Sequence, residues 1–302
     1  MSTEISGASK DDQPPASASG PASPSIPAIA SSATGIEGQG RAERAGGAKL
    51  AEEAEGAAFD PTRILFHGSG VLVVDKPAGI PVHRGTSHDE GLAERIEAWV
   101  TRNPGFLEIR AGKRIHPVHR LDLEASGVLL LALNPATARN LHAAFEGRLV
   151  GKRYLAVVAG PLQALGELQG KVRTRLRGVY RYLESTLRYR RIRGDERLSL
   201  VEVIPEGGRT HQIRELFAQA ERPLAGDLRY GKPTPSRQFL ERFGVSHLLL
   251  HLLEVSIPPE ILGAARTFRA PVPAEFHKVI QEKGWEPIEG QGEVSSHAPR
   301  AP

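Results

Sequence analysis

Asp122 stands in "RIHPVHRLDLEASGVLLLALN", residues 114–134, between a basic, histidine-dotted lead-in and the most apolar run of the chain. A carboxylate at such an edge is held by a cation or by hydrogen-bond donors, or it takes up a proton. Two readings fit it: an Asp that caps its own turn ending at Ser126 and Gly127, or a partly desolvated nucleophile or base. The second needs a partner cation, and Arg120 lies two residues away. A second cluster, "GGRTHQIRELFA" at 207–218, brackets an expected helix N-terminus with Arg209 and Arg214. Such a place attracts phosphate or carboxylate through free amides and the helix dipole, unless the two arginines serve only solubility. A third stretch, "RTRLRGVYRYLESTLRYRRIRG" at 173–194, interleaves eight arginines with Tyr180, Tyr182 and Tyr189. Alternation on a strand would put arginines on one face, as planar cations that meet phosphates and stack on bases; the alternative is a hairpin with a solvated face.

Other chemistries lack their residues. His116 and His119 have no third ligand at a metal-binding spacing, and no His-Glu-x-x-His occurs. Ser126 is not in a Gly-x-Ser-x-Gly elbow. The chain has no cysteine, which removes thiolate zinc sites and Cys nucleophiles and suits a reducing cytoplasm. With neither a phosphate-cradling loop nor a dinucleotide fingerprint, no metal and no cofactor is expected.

The elements that must position these residues mix periods of two and 3.6. "RILFHGSGVLVVDKPAG" reads as two short strands about a glycine turn, "LAERIEAWV" as an amphipathic helix and "GVLLLALN" as a buried strand. "PATARNLHAAFEGRL" reads as a helix with Pro135 in its first turn, and "KRYLAVVAG" as a strand. A hairpin through Gly194 and Asp195, a helix opened by Thr210, the strand "LLLHLLEVSIP" and the helix "VPAEFHKVIQEK" follow. Without regular strand–helix alternation the fold class is α+β, a mixed sheet with a cleft. Residues 1–58, rich in Ala, Ser, Gly and Pro, and residues 287–302 read as disordered tails around one body at 59–286. Residues 1–60 carry nine acids and four bases and the remainder 35 bases and 26 acids, so the net +9 belongs to the body. A basic body points towards nucleic acid, with solubility the plainer explanation. No secretory signal pattern and no membrane-spanning run is found.

Taken together, "VVDKPAGIPVH" (73–83), "HRLDLEASGVLLLA" (119–132), "GKRYLAVVAG" (151–160) and "GRTHQIRELFA" (208–218) resemble the RluA family of pseudouridine synthases in order and spacing. "PLAGDLRYG" (223–231), "LLLH" (248–251) and "FRAPVP" (268–273) extend the resemblance over most of residues 61–280. It implies a pseudouridine synthase catalytic fold, a mixed, largely antiparallel sheet flanked by helices with a central basic cleft. It also implies an isomerase that turns uridine in rRNA or tRNA into pseudouridine without a cofactor. Asp122 would be the catalytic carboxylate, attacking ribose C1′ or uracil C6. Arg214 would hold it in a bidentate pair, and Tyr154 would pack on the uracil and transfer a proton. Arg120 would enter the stack vacated by the flipped nucleotide. Lys76, Lys152, Arg209 and His119 would contact RNA or the cleft, and the arginine-rich hairpin would attract the RNA backbone.

The family usually has Thr where Ala125 stands, His where Leu216 stands and Asn where Asp75 stands. Many relatives also carry a small basic RNA-binding domain where this chain has its acidic N-terminal stretch. The resemblance implies one cytoplasmic chain acting as a monomer with RNA as its partner. The rival readings are a noncatalytic RNA-binding or ribosome-assembly protein on the same fold and, further off, an acid/base hydrolase of a small substrate.

Overall fold

The computed structural model describes residues 59–84, 90–106, 114–176 and 178–288. The tails expected at 1–58 and 287–302 lie outside these, except that Pro287 and Ile288 are described and Ile288 packs on the core. In chain order the strands are β1 (Ile64–Gly68), β2 (Val71–Lys76), β3 (His116–Pro117), β4 (Ser126–Ala132) and β5 (Gly151–Ala159). They continue as β6 (Leu165–Leu176), β7 (Val179–Gly194), β8 (Leu198–Pro205), β9 (Leu250–Ile257) and β10 (Arg266–Arg269). The helices are α1 (Leu92–Arg102), α2 (Pro135–Glu146), α3 (Gln212–Gln219), α4 (Pro233–Phe243), α5 (Pro259–Leu262) and α6 (Ala274–Glu282).

The strands form one ten-stranded sheet in the order β1-β2-β4-β9-β5-β8-β7-β6, with β3 also on β4 and β10 also on β9. Every pairing is antiparallel except the short parallel contact of β4 with β9, where Ser126 faces His251 and Gly127 faces Leu252. That seam joins two antiparallel halves, and it needs a glycine. Gly127 has φ +114°, and a Cβ there would sit 2.3 Å from the Leu252 carbonyl oxygen. Beside it Ser126 Oγ bonds His251 Nδ1 at 2.9 Å in full burial, so the chain just after Asp122 is pinned to the middle of the sheet.

Side-chain alternation divides the sheet into two faces. Val128 and Leu130 of β4, Ala156 and Val158 of β5 and Val201 and Val203 of β8 join α2 and α3 in one core cluster. On the other face Leu129 and Leu131 pack with α1, while Leu155 and Leu200 pack with α4 and α6. β4 is buried at every position, which is why it reads as one continuous apolar run. α2 starts as its sequence requires: Asn134 accepts from the Thr137 N–H at 2.9 Å, with Pro135 in the first turn.

Three local expectations change. The helix expected to open at Thr210 begins at Gln212, because His211 is its N-cap in the left-handed conformation, φ 56°. The expected hairpin through Gly194 forms, but β7 also pairs along its length with β6 through a turn at Gly178, φ +84°. The arginines do not share one face either. Arg173, Arg175, Arg188 and Arg190 project with Tyr180 and Tyr182, whereas Arg181 and Arg191 project with Tyr189, since cross-strand partners share a face and neighbours alternate. α4, whose "PTPSRQFLERF" begins with two prolines, has no counterpart in the sequence reading.

Candidate active site

A cleft of about 460 Å³ opens on the face covered by α2 and α3, and Asp122, Tyr154, Arg120, Lys152, Arg209, His211 and Arg214 all line it. Asp122 sits in the loop from β3 to β4, whose turn is closed by the Ala125 N–H on the Asp122 carbonyl at 3.1 Å. Its side chain is 14% exposed and meets two nitrogen-bearing side chains from α3 and its cap: Arg214 Nη1 at 3.5 Å from Oδ2, and His211 Nε2 at 3.7 Å from Oδ1.

The expected bidentate pair of Arg214 with Asp122 is not what the structure shows. The two-pronged hydrogen bond goes instead to Asp227, Nε to Oδ2 at 2.8 Å and Nη2 to Oδ1 at 2.9 Å. Nη2 also lies 2.9 Å from Glu124 Oε2, and Nη1 is left towards Asp122. A guanidinium 2% exposed is thus shared by three carboxylates, which its flat fork of five donors allows. Burial works against its charge, but the Asp227 hydrogen bonds together with the charges of Asp227, Glu124 and Asp122 outweigh it and hold Arg214 more firmly protonated than usual. Burial likewise pushes Asp227 up, yet Arg214 and the Tyr230 and Arg229 N–H groups leave its carboxyl below the ordinary range. Arg214 is a fixed post carrying one ion pair into the cleft.

Tyr154 lies on β5 where the pairing with β9 shifts register between Arg153 and Tyr154. An irregularity of this kind re-aims a side chain. Burial first, then the charge of Asp122, raises the phenol's pKa, so Tyr154 stays protonated at physiological pH. Arg120 is exposed at the cleft wall.

Lys76, expected among the RNA contacts, is fully buried. Its Nζ donates to the carbonyls of Pro77 (2.8 Å), Leu123 (3.3 Å) and Ala125 (2.7 Å), which uses all three ammonium protons. Two of those carbonyls belong to the Asp122 loop, so Lys76 clamps that loop from beneath and cannot reach a phosphate. Burial pulls its pKa down to about 7, against the opposing charges of Asp122 and Asp75. His119 brings no charge to RNA: burial, then Lys152, takes its pKa down to about 3. Its Nε2 accepts the Leu130 N–H at 3.0 Å, and its ring stacks on Phe145 at 4.8 Å. Lys152 donates to the Gly207 carbonyl at 2.5 Å, while Arg209 donates to Ser185 Oγ and the Glu184 carbonyl, each at 2.7 Å. Both therefore brace the "GGRT" loop against neighbouring strands as well as lining the cleft.

The three sequence departures have local accommodations. Ala125 and Leu216 are buried in the cleft-side core. Asp75 pairs with Arg63 at 3.0 Å; burial still raises its carboxyl to about 6 against Arg63 and Lys76. Glu124, Asp227, His211, Glu215 and Tyr230 are not singled out by the sequence. Glu124 is two residues past Asp122, and Asp227 and Tyr230 lie within the quoted "PLAGDLRYG", so the available signal is proximity to a recognised motif. Among the described residues no group of three or more His, Asp or Glu could hold a metal ion.

The fold narrows the class first. The chain superimposes on the solved structure of human RNA pseudouridylate synthase domain containing 4 with a TM-score of 0.59, covering 78% of this chain and 96% of that one at 20% identity, a likeness of fold. In sequence, the family model described as RNA pseudouridylate synthase matches residues 70–219. The tRNA pseudouridine synthase C of Haemophilus ducreyi is 30% identical over 246 residues, 74% of this chain and 96% of that protein. The ribosomal large subunit pseudouridine synthase C of Pasteurella multocida is 33% identical over 230 residues, 72% of this chain and 67% of that one. The chain belongs to the RNA pseudouridylate synthase family, of RluA type, and is an isomerase acting on RNA.

Proposed function

We propose that this enzyme isomerises specific uridines of tRNA or rRNA with Asp122 as its catalytic carboxylate. The observation that carries the reading is the meeting of Asp122, Tyr154 and Arg214 at one cleft, from a loop, a strand and a helix far apart in sequence. The uridine is flipped out of its stack, at a cost of a few kcal/mol, and Arg120 takes the vacated place. Asp122 then attacks C1′ or C6, routes that share one balance. The N1–C1′ bond breaks, the uracil turns, C5 bonds to C1′, the bond to Asp122 breaks and returns the free carboxylate, the C5 proton leaves and N1 gains one. Arg214, and His211 when its ring is protonated, favour the ionised Asp122 that either route needs, and Tyr154, protonated and lining the same cleft, carries the proton. No step asks for a cofactor.

The cleft is basic in this reading, lined by Arg120, Arg148, Lys152, Arg209 and Arg214 against Asp122 and Glu146. The β6–β7 hairpin adds basic surface beyond it, with no acid between Val172 and Leu183 and with Arg173 and Arg175 on the face away from the cleft. The relatives' names favour tRNA or ribosomal RNA as substrate. The enzyme works as a monomer in the cytoplasm, a compartment that the lack of cysteine supports. Among the described residues no helix is long and apolar enough to cross a membrane.

Asp122→Asn tests the assignment: isomerisation falls by at least about a thousandfold while RNA affinity stays within a few-fold. Full turnover by this variant removes Asp122 from catalysis. Pseudouridine mapping of RNA from cells with and without the gene names the target, and no change at any position favours the binding-only rival.

A further inference from the structure

His211 reaches the cleft by an unusual route. It is the N-cap of α3, a non-glycine residue held at φ 56°, a conformation that L-residues rarely adopt. Its ring is fixed from behind by a chain of hydrogen bonds. His211 Nδ1 lies 2.9 Å from the Tyr230 hydroxyl, and that hydroxyl donates to Glu215 Oε1 at 2.9 Å. Glu215 Oε2 accepts the backbone N–H of Arg173 at 3.0 Å. Tyr230 is itself placed by its N–H on Asp227 Oδ1 at 3.0 Å, the carboxylate that anchors Arg214.

Counting protons settles the direction of the chain. Glu215 accepts on both oxygens, the pattern of an ionised carboxylate, and a phenol has one proton to give. With that proton on Glu215, the Tyr230 oxygen can only accept from His211, so Nδ1 carries hydrogen. In water a neutral imidazole prefers the other tautomer; here the partner of one nitrogen fixes the state of the second. Nε2 is left as the one atom of the ring that gains or loses a proton, and it faces Asp122 at 3.7 Å.

We propose that Tyr230 and Glu215 are positioning residues which lock His211 in its Nδ1–H form, so that His211 Nε2 adjusts the charge beside Asp122 during the reaction. Neutral, Nε2 turns a lone pair towards the carboxylate; protonated, it donates to it. Charged groups beside the ring's partners include Arg214, 3.5 Å from Asp122 and also paired with Glu124 and Asp227, and Arg229, 5.3 Å from the Tyr230 ring centroid. The proposal rests on Asp122 being the catalytic carboxylate, and it has one readout that does not.

That readout is the nitrogen spectrum of the full-length, 15N-labelled protein without RNA, at a pH where the ring is neutral. His211 is one of eleven histidines, so its signals are assigned by their loss in His211→Gln. The wild type is expected to show the Nδ1–H tautomer, and Tyr230→Phe to restore the Nε2–H form. An Nε2–H ring in the wild type overturns the proposal, whatever becomes of Asp122. The second readout is the pH dependence of kcat/KM on an RNA substrate. The wild type is expected to show a limb that belongs to His211. Tyr230→Phe and, independently, the isosteric Glu215→Gln move its midpoint to lower pH by half a unit or more, because a carboxylate linked through the phenol stabilises the imidazolium. His211→Gln removes the limb. A merely structural relay lowers activity at every pH and leaves the midpoint in place, which overturns the proposal.

Discussion

The two faces of this sheet use the same residue in opposite ways. On the cleft face Arg214 is 2% exposed and meets Asp122, Glu124 and Asp227. On the opposite face of the hairpin Arg173 and Arg175 are exposed, and Arg173 lies 3.9 Å over the ring of an exposed Tyr180. A buried guanidinium survives only where geometry and counter-charge are complete, so it fixes the carboxylates it meets and is intolerant of change. An exposed one is screened, keeps its side-chain freedom and attracts a polyanion without fixing it. On the proposed function, the difference separates where chemistry is arranged from where RNA is gathered.

Breaking the cleft side has the larger expected effect. Arg214→Lys keeps the charge but a single ammonium cannot bridge three carboxylates in the plane of a fork. Part of the anionic cluster is left uncompensated in burial. Denaturant unfolding is expected to show a loss of about 3 kcal/mol, the scale of a broken buried pair. Single-turnover isomerisation is expected to fall about a hundredfold or more. A Lys variant with wild-type stability and rate would make Arg214 no different from the outer arginines.

The outer side gives the smaller effect and a different signature. Arg173→Ser with Arg175→Ser should raise KM for RNA several-fold and leave kcat unchanged. The slope of log affinity against log salt should shrink by about one for each phosphate that is no longer neutralised. Stability should move within about 0.5 kcal/mol, because neither side chain supports the core. A fall in kcat at unchanged KM would place these arginines in the chemistry and erase the contrast between the faces.

This contrast also marks how far the sequence is legible. β4, α2, α6 and the β7–β8 hairpin are readable because each carries its own periodicity and punctuation. α4 escapes because its two prolines look like a loop, although they occupy a helical first turn where an N–H is dispensable. Asp122, Tyr154, Arg120 and Arg214 stand out by their motifs, and the structure brings all four to one cleft. Lys76 misleads because a basic residue beside a motif looks like a phosphate contact; only burial shows it spent on three carbonyls. The Asp227 fork and the Tyr230–Glu215 relay are illegible for a different reason. They are tertiary pairings between α3 and a turn whose approach no local pattern encodes.

Asp75 lies between the two extremes and sharpens the scale. Its side chain is 14% exposed, and its partner Arg63 is 39% exposed, so burial is only partly answered. Its folded-state pKa of about 6 stands above the ordinary 3.8. Between those values the native state binds more protons than the unfolded chain, so stability declines as pH rises from about 4 to 6 and the cost is fully present above that. Asp75→Asn removes the titration. It is expected to flatten the stability curve across that window and to raise stability at neutral pH by about 1 kcal/mol, a value reduced because Arg63 loses its partner. Isomerisation should not change, since Asp75 does not line the cleft. Urea denaturation at several pH values measures it. A variant less stable at neutral pH would show that even this half-exposed pair behaves like the Arg214 cluster, and the boundary between the two kinds of charge would have to move outward to Arg63.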